Sequence, residues 1–299
     1  MKNIFVFGSI NYDLVMSSPH MPKKGETVKG DNFFTNSGGK GANQAVACSK
    51  LGGNTFMLGA TGADAFGTEC KNALKAYGVN TGFVQTVENC ATGTAVIILA
   101  ECDNRIIIAG GANVSFDKEK RYGVINKNVK RGDIFICQLE ISAECVAKGF
   151  EIAKSNGALT ILNPAPAQKI GVEILKHTDI IIPNETEAEV ITGESAGCIN
   201  GLKNAGKYFK AFGVSEAVIT LGSRGCYYNG KIYPAHKADK VVDTTAAGDT
   251  FIGALAGRLA AGLDIAGSLD FCQKACALKV ARRGAQIAIP TLAEVLGRS

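Results

Sequence analysis

The sequence predicts an α/β protein built on a mostly parallel sheet with helices on both faces, and three observations carry that expectation. Short apolar runs rich in β-branched residues alternate with amphipathic stretches along the whole chain. Those runs are continuous rather than alternating, which is the pattern of strands buried on both faces. No linker rich in Pro, Gly and Ser interrupts the rhythm, so one α/β unit over residues 1–299 is expected.

Residues 3–10 read as the first buried strand, followed by strands at 54–59, 133–137, 158–162, 178–182 and 215–220. Apolar positions at helical period over 64–77, 142–155 and 200–212 supply crossover helices. Two segments break the alternation, residues 12–35 and 93–111. In the second, Thr94-Ala-Val-Ile-Ile-Leu-Ala100 and Arg105-Ile-Ile-Ile-Ala109 flank Cys102-Asp-Asn104, a hairpin with Asp103 and Asn104 as its turn residues. A small sheet beside the main one, over its strand ends, follows. The run Gly225-Cys-Tyr-Tyr-Asn-Gly-Lys-Ile232 has the glycine and lysine spacing of a P-loop, but Ile232 stands where a Ser or Thr would bind Mg²⁺. Asn229-Gly230 between strand-like segments reads instead as a tight hairpin. A dinucleotide fingerprint also fails, because Gly8 lacks the glycines that must follow it.

With 299 residues, 46% apolar and 20% charged, the chain can bury a substantial core, and it contains no internal repeat. Its N-terminal apolar run is too short for a signal peptide and no run approaches a membrane span, so a cytoplasmic protein with no membrane partner is expected. Ten scattered cysteines, with only Cys272 and Cys276 at helical spacing, read as reduced and mostly buried thiols. The net charge of +5 comes from dispersed basic residues and suits a small anionic ligand. The aromatic interleaving of a nucleic-acid binder is missing. His20, His177 and His236 stand in no suggestive motif, which leaves Ser-His-Asp or His-metal chemistry little to work with.

In Val241-Val-Asp-Thr-Thr-Ala-Ala-Gly-Asp-Thr-Phe-Ile-Gly-Ala-Leu255, a β-branched entry gives way to small residues and then to Phe251, Leu255 and Leu259 at helical spacing. A helix therefore starts near 246–249, where free N–H groups and the dipole favour an anion. Asp249 in that first turn has two readings of equal weight, a helix-dipole charge or a base facing phosphate. Ser37-Gly-Gly-Lys-Gly-Ala-Asn-Gln-Ala45 is a second loop-to-helix junction. Its glycines permit close backbone approach, and Lys40 and Asn43 form a donor cluster suited to sugar hydroxyls.

These stretches together resemble the ribokinase (PfkB-type) family of carbohydrate kinases nearly end to end. Gly8-Ser-Ile-Asn-Tyr-Asp13, Gly38-Gly-Lys-Gly-Ala-Asn43 and Asp243-Thr-Thr-Ala-Ala-Gly-Asp249 stand in the family's order and separation. Gln138-Leu-Glu140, Asn163-Pro-Ala-Pro-Ala167, Pro183-Asn-Glu-Thr-Glu-Ala-Glu189, Thr220-Leu-Gly-Ser-Arg-Gly225 and Arg283-Gly-Ala-Gln286 are similar to the members that phosphorylate D-ribose. The resemblance implies a ribokinase-like three-layer α/β/α sandwich with a mostly parallel central sheet and a small β-sheet lid, through which two chains would form a homodimer. It implies transfer of the ATP γ-phosphate to the 5-hydroxyl of ribose. Asn11, Asp13, Gly39, Lys40, Asn43 and Glu140 would hold the sugar and Asp249 would act as base, with Ala246, Ala247 and Gly248 as an anion hole. Asn184 and Glu187 would stand near the nucleotide phosphates and Mg²⁺. Thr220, Leu221, Gly222, Ser223, Arg224, Gly225 and Gln273 would line the ATP site with Gly248.

The spacing of Asn184 and Glu187 is also that of a helix capping box, and the two readings are compatible. The family's monovalent-cation (K⁺) site would comprise Asp243, Thr245, Lys279, Arg282, Gly284 and Ala288, with Lys279 and Arg282 giving carbonyl oxygens rather than their charged ends. Two departures stand out. Members often carry Ser where this chain has Ala288, and His where it has Gln273. The alternatives are a kinase of the same family for deoxyribose, another sugar or a nucleoside, and a non-catalytic sugar or nucleotide sensor. A sensor could dispense with Asp249, and a nicotinamide oxidoreductase is disfavoured by the missing fingerprint.

Overall fold

The computed structural model describes residues 2–101 and 103–297. Its strands, in chain order, are β1 (Asn3–Phe7), β2 (Asn11–Ser17), β3 (Asn32–Gly38), β4 (Asn54–Leu58), β5 (Ala60–Gly62), β6 (Gln85–Val87), β7 (Gly93–Ala100), β8 (Asp103–Ala109), β9 (Ile134–Cys137), β10 (Leu159–Leu162), β11 (Ile180–Ile181), β12 (Glu216–Thr220), β13 (Cys226–Tyr228) and β14 (Lys231–Tyr233). The helices are α1 (Lys40–Lys50), α2 (Ala65–Ala76), α3 (Ala112–Ser115), α4 (Lys118–Asn128), α5 (Ala143–Ser155), α6 (Val172–Leu175), α7 (Glu185–Thr192), α8 (Ile199–Ala211), α9 (Ala247–Ala260), α10 (Ile265–Val280) and α11 (Leu292–Leu296).

Eight strands form the main sheet in the order β14-β13-β12-β11-β10-β9-β1-β4. From β4 to β12 every pairing is parallel, and β13 and β14 complete one edge antiparallel. The reason is visible in β1. Ile4 and Val6 join a core with Val46 of α1, Leu255 of α9 and Leu269 of α10, while Phe5 and Phe7 join a second core with Ile125 of α4, Phe150 of α5 and Phe209 of α8. A strand buried on both faces carries no polar alternation, and helices on each face supply the crossovers that parallel strands require. The β13–β14 hairpin turns at Asn229 and Gly230, whose φ of 47° and 85° match the two left-handed positions of a type I′ turn.

β1 ends at Phe7, earlier than the apolar run suggests, because the chain turns there toward α1. Gly8 N–H still bonds Leu58, but Ser9 O accepts from Ala42 at the start of α1. The two segments that broke the sequence rhythm form a separate four-stranded sheet, β3-β2-β7-β8, in which Asn11 pairs with Gly93 in a parallel β2–β7 ladder. β7 and β8 are a hairpin, but the expected turn is displaced. Ala100 pairs with Asp103 and Leu99 with Asn104, so Asp103 and Asn104 are strand residues. The bend begins at Glu101, with φ 55°, and its Cys102 lies outside the described residues. Register across the Ile97–Ile106 pair, not turn propensity, sets this hairpin. A two-stranded ladder of β5 and β6 was not signalled by the sequence. Among the described residues no helix is long and apolar enough to cross a membrane.

Candidate active site

The carboxyl ends of β10, β11 and β12 open into a cleft of about 180 Å³ lined by residues that include Lys40, Asn163, Asn184, Glu187, Thr220, Ala246, Gly248 and Asp249. Ligands of open α/β sheets bind outside these strand ends. A broader groove of about 700 Å³ beside Lys71, Lys75 and Asn80 contains none of the residues expected to act.

Asp249 sits in the first turn of α9 and is buried. Two amides fix it: Asn43 Nδ2 donates to Oδ2 at 3.2 Å and Gln44 Nε2 donates to Oδ1 at 2.9 Å. Gln44 also donates to Asn163 Oδ1 at 3.0 Å and accepts from Gln138 Nε2 at 2.6 Å, and Asn43 accepts from Gln286 Nε2 at 3.1 Å. A carboxylate held on both oxygens inside a buried amide network has one orientation. Sequence reasoning placed Asn43 on the sugar. In the structure one of its amide N–H groups goes to Asp249 and its oxygen accepts from Gln286, so it also positions the carboxylate. Gln44, Asn163, Gln138 and Gln286 were missed as parts of this clamp, although each stood inside a quoted stretch.

The turn before α9 is tight. Ala246 is left-handed, φ 60°, a conformation that costs a non-glycine residue ~1–2 kcal/mol, and it caps the helix without a side-chain bond. Ala247 N–H bonds Thr244 O at 3.1 Å, so it leaves the expected anion hole. Gly248 and Asp249 remain as first-turn donors with no backbone partner among the described hydrogen bonds, as helix geometry requires. A Cβ at Gly248 would meet nothing within 4 Å, so open space adjoins this donor.

Gly39, with φ 87°, starts α1, and a Cβ there would fall 2.8 Å from Asn11 N. At Gly41 a Cβ would lie 2.6 Å from Ser9 N. The glycines thus let α1 press against the β1–β2 connection, which brings the second motif to the first. Glu140 Oε2 accepts from Ser9 Oγ at 2.5 Å and from Lys40 N–H at 3.0 Å, tying three distant segments together. Burial opposes the Lys40 ammonium, but the carboxylates of Asp249, Glu140 and Glu187 outweigh it and hold its pKa above the usual value. Burial, reinforced by Glu140, lifts Asp13 to about 7. Asn11 Oδ1 accepts from Asn113 Nδ2 at 2.8 Å, and Asn113 also bonds the backbone of Ile10 on both sides. No sequence signal singled out Asn113, which is buried after β8 and orients Asn11 from a distance of 102 residues.

Asn184 and Glu187 form the capping box of α7, with Asn184 Oδ1 accepting from Glu187 N–H at 2.7 Å and Glu187 Oε2 accepting from Asn184 N–H at 2.8 Å. Both also line the cleft, and burial pushes the Glu187 pKa up. After Thr220, Leu221 is buried while Gly222, Ser223 and Arg224 are exposed, and Arg224 pairs with Glu185 at 2.5 Å. Gln273 is buried on α10, outside the cleft lining, with its side chain against the Cys226 thiol.

Three of the six expected K⁺ ligands, Asp243, Lys279 and Ala288, do not fit that ion. Asp243 Oδ1 accepts from Thr245 N–H and Oδ2 from Gly284 N–H, both at 2.9 Å. Although burial opposes its ionisation, these bonds hold the Asp243 carboxyl below its usual range. The Lys279 carbonyl accepts from the N–H groups of Ala281 and Arg282, and Ala288 has no hydroxyl to offer. The Lys279 side chain, whose charged end was not expected to take part, donates from Nζ to Asp243 O at 2.8 Å. Burial lowers the Lys279 pKa, and Asp243 opposes that shift.

A fixed carboxylate at a helix start, beside first-turn N–H donors and a half-buried lysine in a strand-end cleft, has the parts of a phosphotransferase: a proton acceptor, charge stabilisers and room for phosphate. Residues 1–292 match the model of the pfkB family of carbohydrate kinases. Over 313 aligned positions the chain is 42% identical to the ribokinase of Schizosaccharomyces pombe, covering 99% of this chain and 98% of that one. It is 39% identical to the ribokinase of Bacillus subtilis over 99% of this chain and 98% of its relative. The solved structure of Arabidopsis thaliana ribokinase complexed with ribose and ATP matches with a TM-score of 0.91 and 32% identity, covering 99% and 98% of the two chains. The chain belongs to the pfkB family, and is a phosphotransferase acting on a sugar hydroxyl.

Proposed function

We propose that the protein transfers the γ-phosphate of ATP to the 5-hydroxyl of D-ribose, giving ribose 5-phosphate and ADP. The observation that carries this reading is Asp249, held on both oxygens by Asn43 and Gln44 at the mouth of the strand-end cleft. Asp249 takes the proton of the attacking hydroxyl, and the oxygen so freed attacks the γ-phosphorus while ADP departs. Gly248 and Asp249 N–H groups, with the Lys40 ammonium, stabilise charge on the transferring group. Asn11, Asp13, Gly39 and Glu140 orient the sugar, with Asn113 setting the Asn11 amide.

ATP lies along residues 220–225, with Gln273 near adenine. Asn184 and Glu187, which line the cleft, would hold a nucleotide-bound Mg²⁺ through its waters, and that ion would supply charge neutralisation at the phosphates. The small sheet closes over the sugar and pairs two chains, a reading supported by exposed Met16, Phe33, Val96 and Ile106–108. The nine described cysteines are all unpaired, as fits a protein of the cytoplasm.

The test is a comparison of phosphorylation rates for ribose, 2-deoxyribose, adenosine and fructose with ATP. Ribose is expected to give the highest kcat/KM, and an equal or higher value for any competitor overturns the acceptor assignment.

A further inference from the structure

The anion-binding turn before α9 is approached from α10 by a lysine side chain. Lys279, the penultimate residue of α10, is fully buried, with Nζ 2.8 Å from Asp243 O and 4.0 Å from Asp243 Oδ1. Asp243 stands just before Ala246, and Asp249 is among the groups whose charge acts on Lys279. One turn earlier on α10, the Cys276 thiol meets Ala247 O at 3.4 Å. The same end of α10 thus touches residues before and after the strained Ala246. An ammonium buried without compensation is costly, so this one depends on its bonds to Asp243.

The Asp243 carbonyl, both Asp243 carboxyl oxygens and the Lys279 carbonyl are engaged here, and an ammonium, close to K⁺ in size and charge, already sits on the first of them. We propose that Lys279 is the resident monovalent cation of this site, so that the 246–249 turn is held and charged without K⁺. In a buried site a tethered charge is screened little by salt and is present at every ion concentration. This inference rests on reading that turn as the phosphoryl site.

The experiment compares the full-length protein with Lys279→Met and Lys279→Ala in tetramethylammonium chloride, KCl and methylammonium chloride at equal ionic strength. Turnover of the unaltered protein is expected to differ less than about twofold between the first two salts, and its melting temperature to show no K⁺-specific rise. Lys279→Ala is expected to lose about tenfold or more of its turnover without K⁺. K⁺ or methylammonium should then restore much of it and raise the melting temperature of that variant specifically. A lysine that merely pins α10 to the turn would give loss without ion-specific rescue, and that result overturns the proposal. So does K⁺ activation of the unaltered protein by tenfold or more, a K⁺-specific rise in its melting temperature, or a Lys279→Met variant that keeps the parent turnover without K⁺. The melting readout reports on cation binding whichever sugar is the acceptor, so an error in the acceptor assignment would show separately.

Discussion

In the eight-stranded sheet the central strands are covered on both faces, whereas in the four-stranded sheet Ile106, Ile107 and Ile108 stand 51%, 69% and 52% exposed. The large sheet ends in Asp249 and its amide clamp, and the small one carries Asn11 and Asp13. The proposed base is therefore fixed to a finished core, while two of the proposed sugar contacts, Asn11 and Asp13, ride on a sheet whose outer surface is left bare. The proposed base and these two proposed contacts have separate supports. They meet where α1 joins the β1–β2 connection, through Ser9, Lys40 and Glu140.

The sharpest way to break this division is at Asp249. Asp249→Asn is expected to fold and bind ATP but to lose about 10²–10⁴-fold in kcat, read by steady-state turnover beside ATP titration. A variant within threefold of the parent, by the ~10² floor of such effects, would remove Asp249 from the base role.

A smaller effect is expected at Asp13, whose pKa stands near 7 in the folded protein against an ordinary value of 3.8. The folded state then binds more protons than the unfolded chain between those values. Stability contributed by this group is fully present below about pH 4 and declines as pH rises through about 7. Urea midpoints across that window should fall with pH, sugar KM should change a few-fold near pH 7, and Asp13→Asn should flatten both. A sugar KM with the same pH dependence in that variant would detach Asp13 from the acceptor.

The smallest effect per chain is expected at the bare face. Ile107→Lys should change the stability of one chain by under ~0.5 kcal/mol, as at other exposed positions. It should nevertheless convert a dimer to a monomer in sedimentation. A parent chain that sediments as a monomer at micromolar concentration would end the pairing proposal.

Legibility in the sequence followed the range of the interaction. The Asn229-Gly230 hairpin, the helix start at Ala247 and the Asn184–Glu187 cap were readable because each is decided within a few residues by backbone sterics or a local hydrogen bond. The β7–β8 turn was misplaced because pairing along seven residues outweighs the turn preference of Asp and Asn. Gln44 as a clamp on Asp249 spans 205 residues, and Asn113 on Asn11 spans 102; no local period or spacing encodes such partners.

By itself the sequence determined the alternation of parallel strands with helices, the two inserted segments and the carboxylate at the start of α9, because hydrophobic period and local turn chemistry write these directly into the chain. The tertiary structure alone decided where the polar side chains end. It turned Asn43 toward Asp249 rather than outward, withdrew the Ala247 N–H into Thr244, and aimed the Lys279 ammonium at Asp243. The reason is that a buried polar group must find a partner, and which partner lies within 3 Å depends on how distant segments pack.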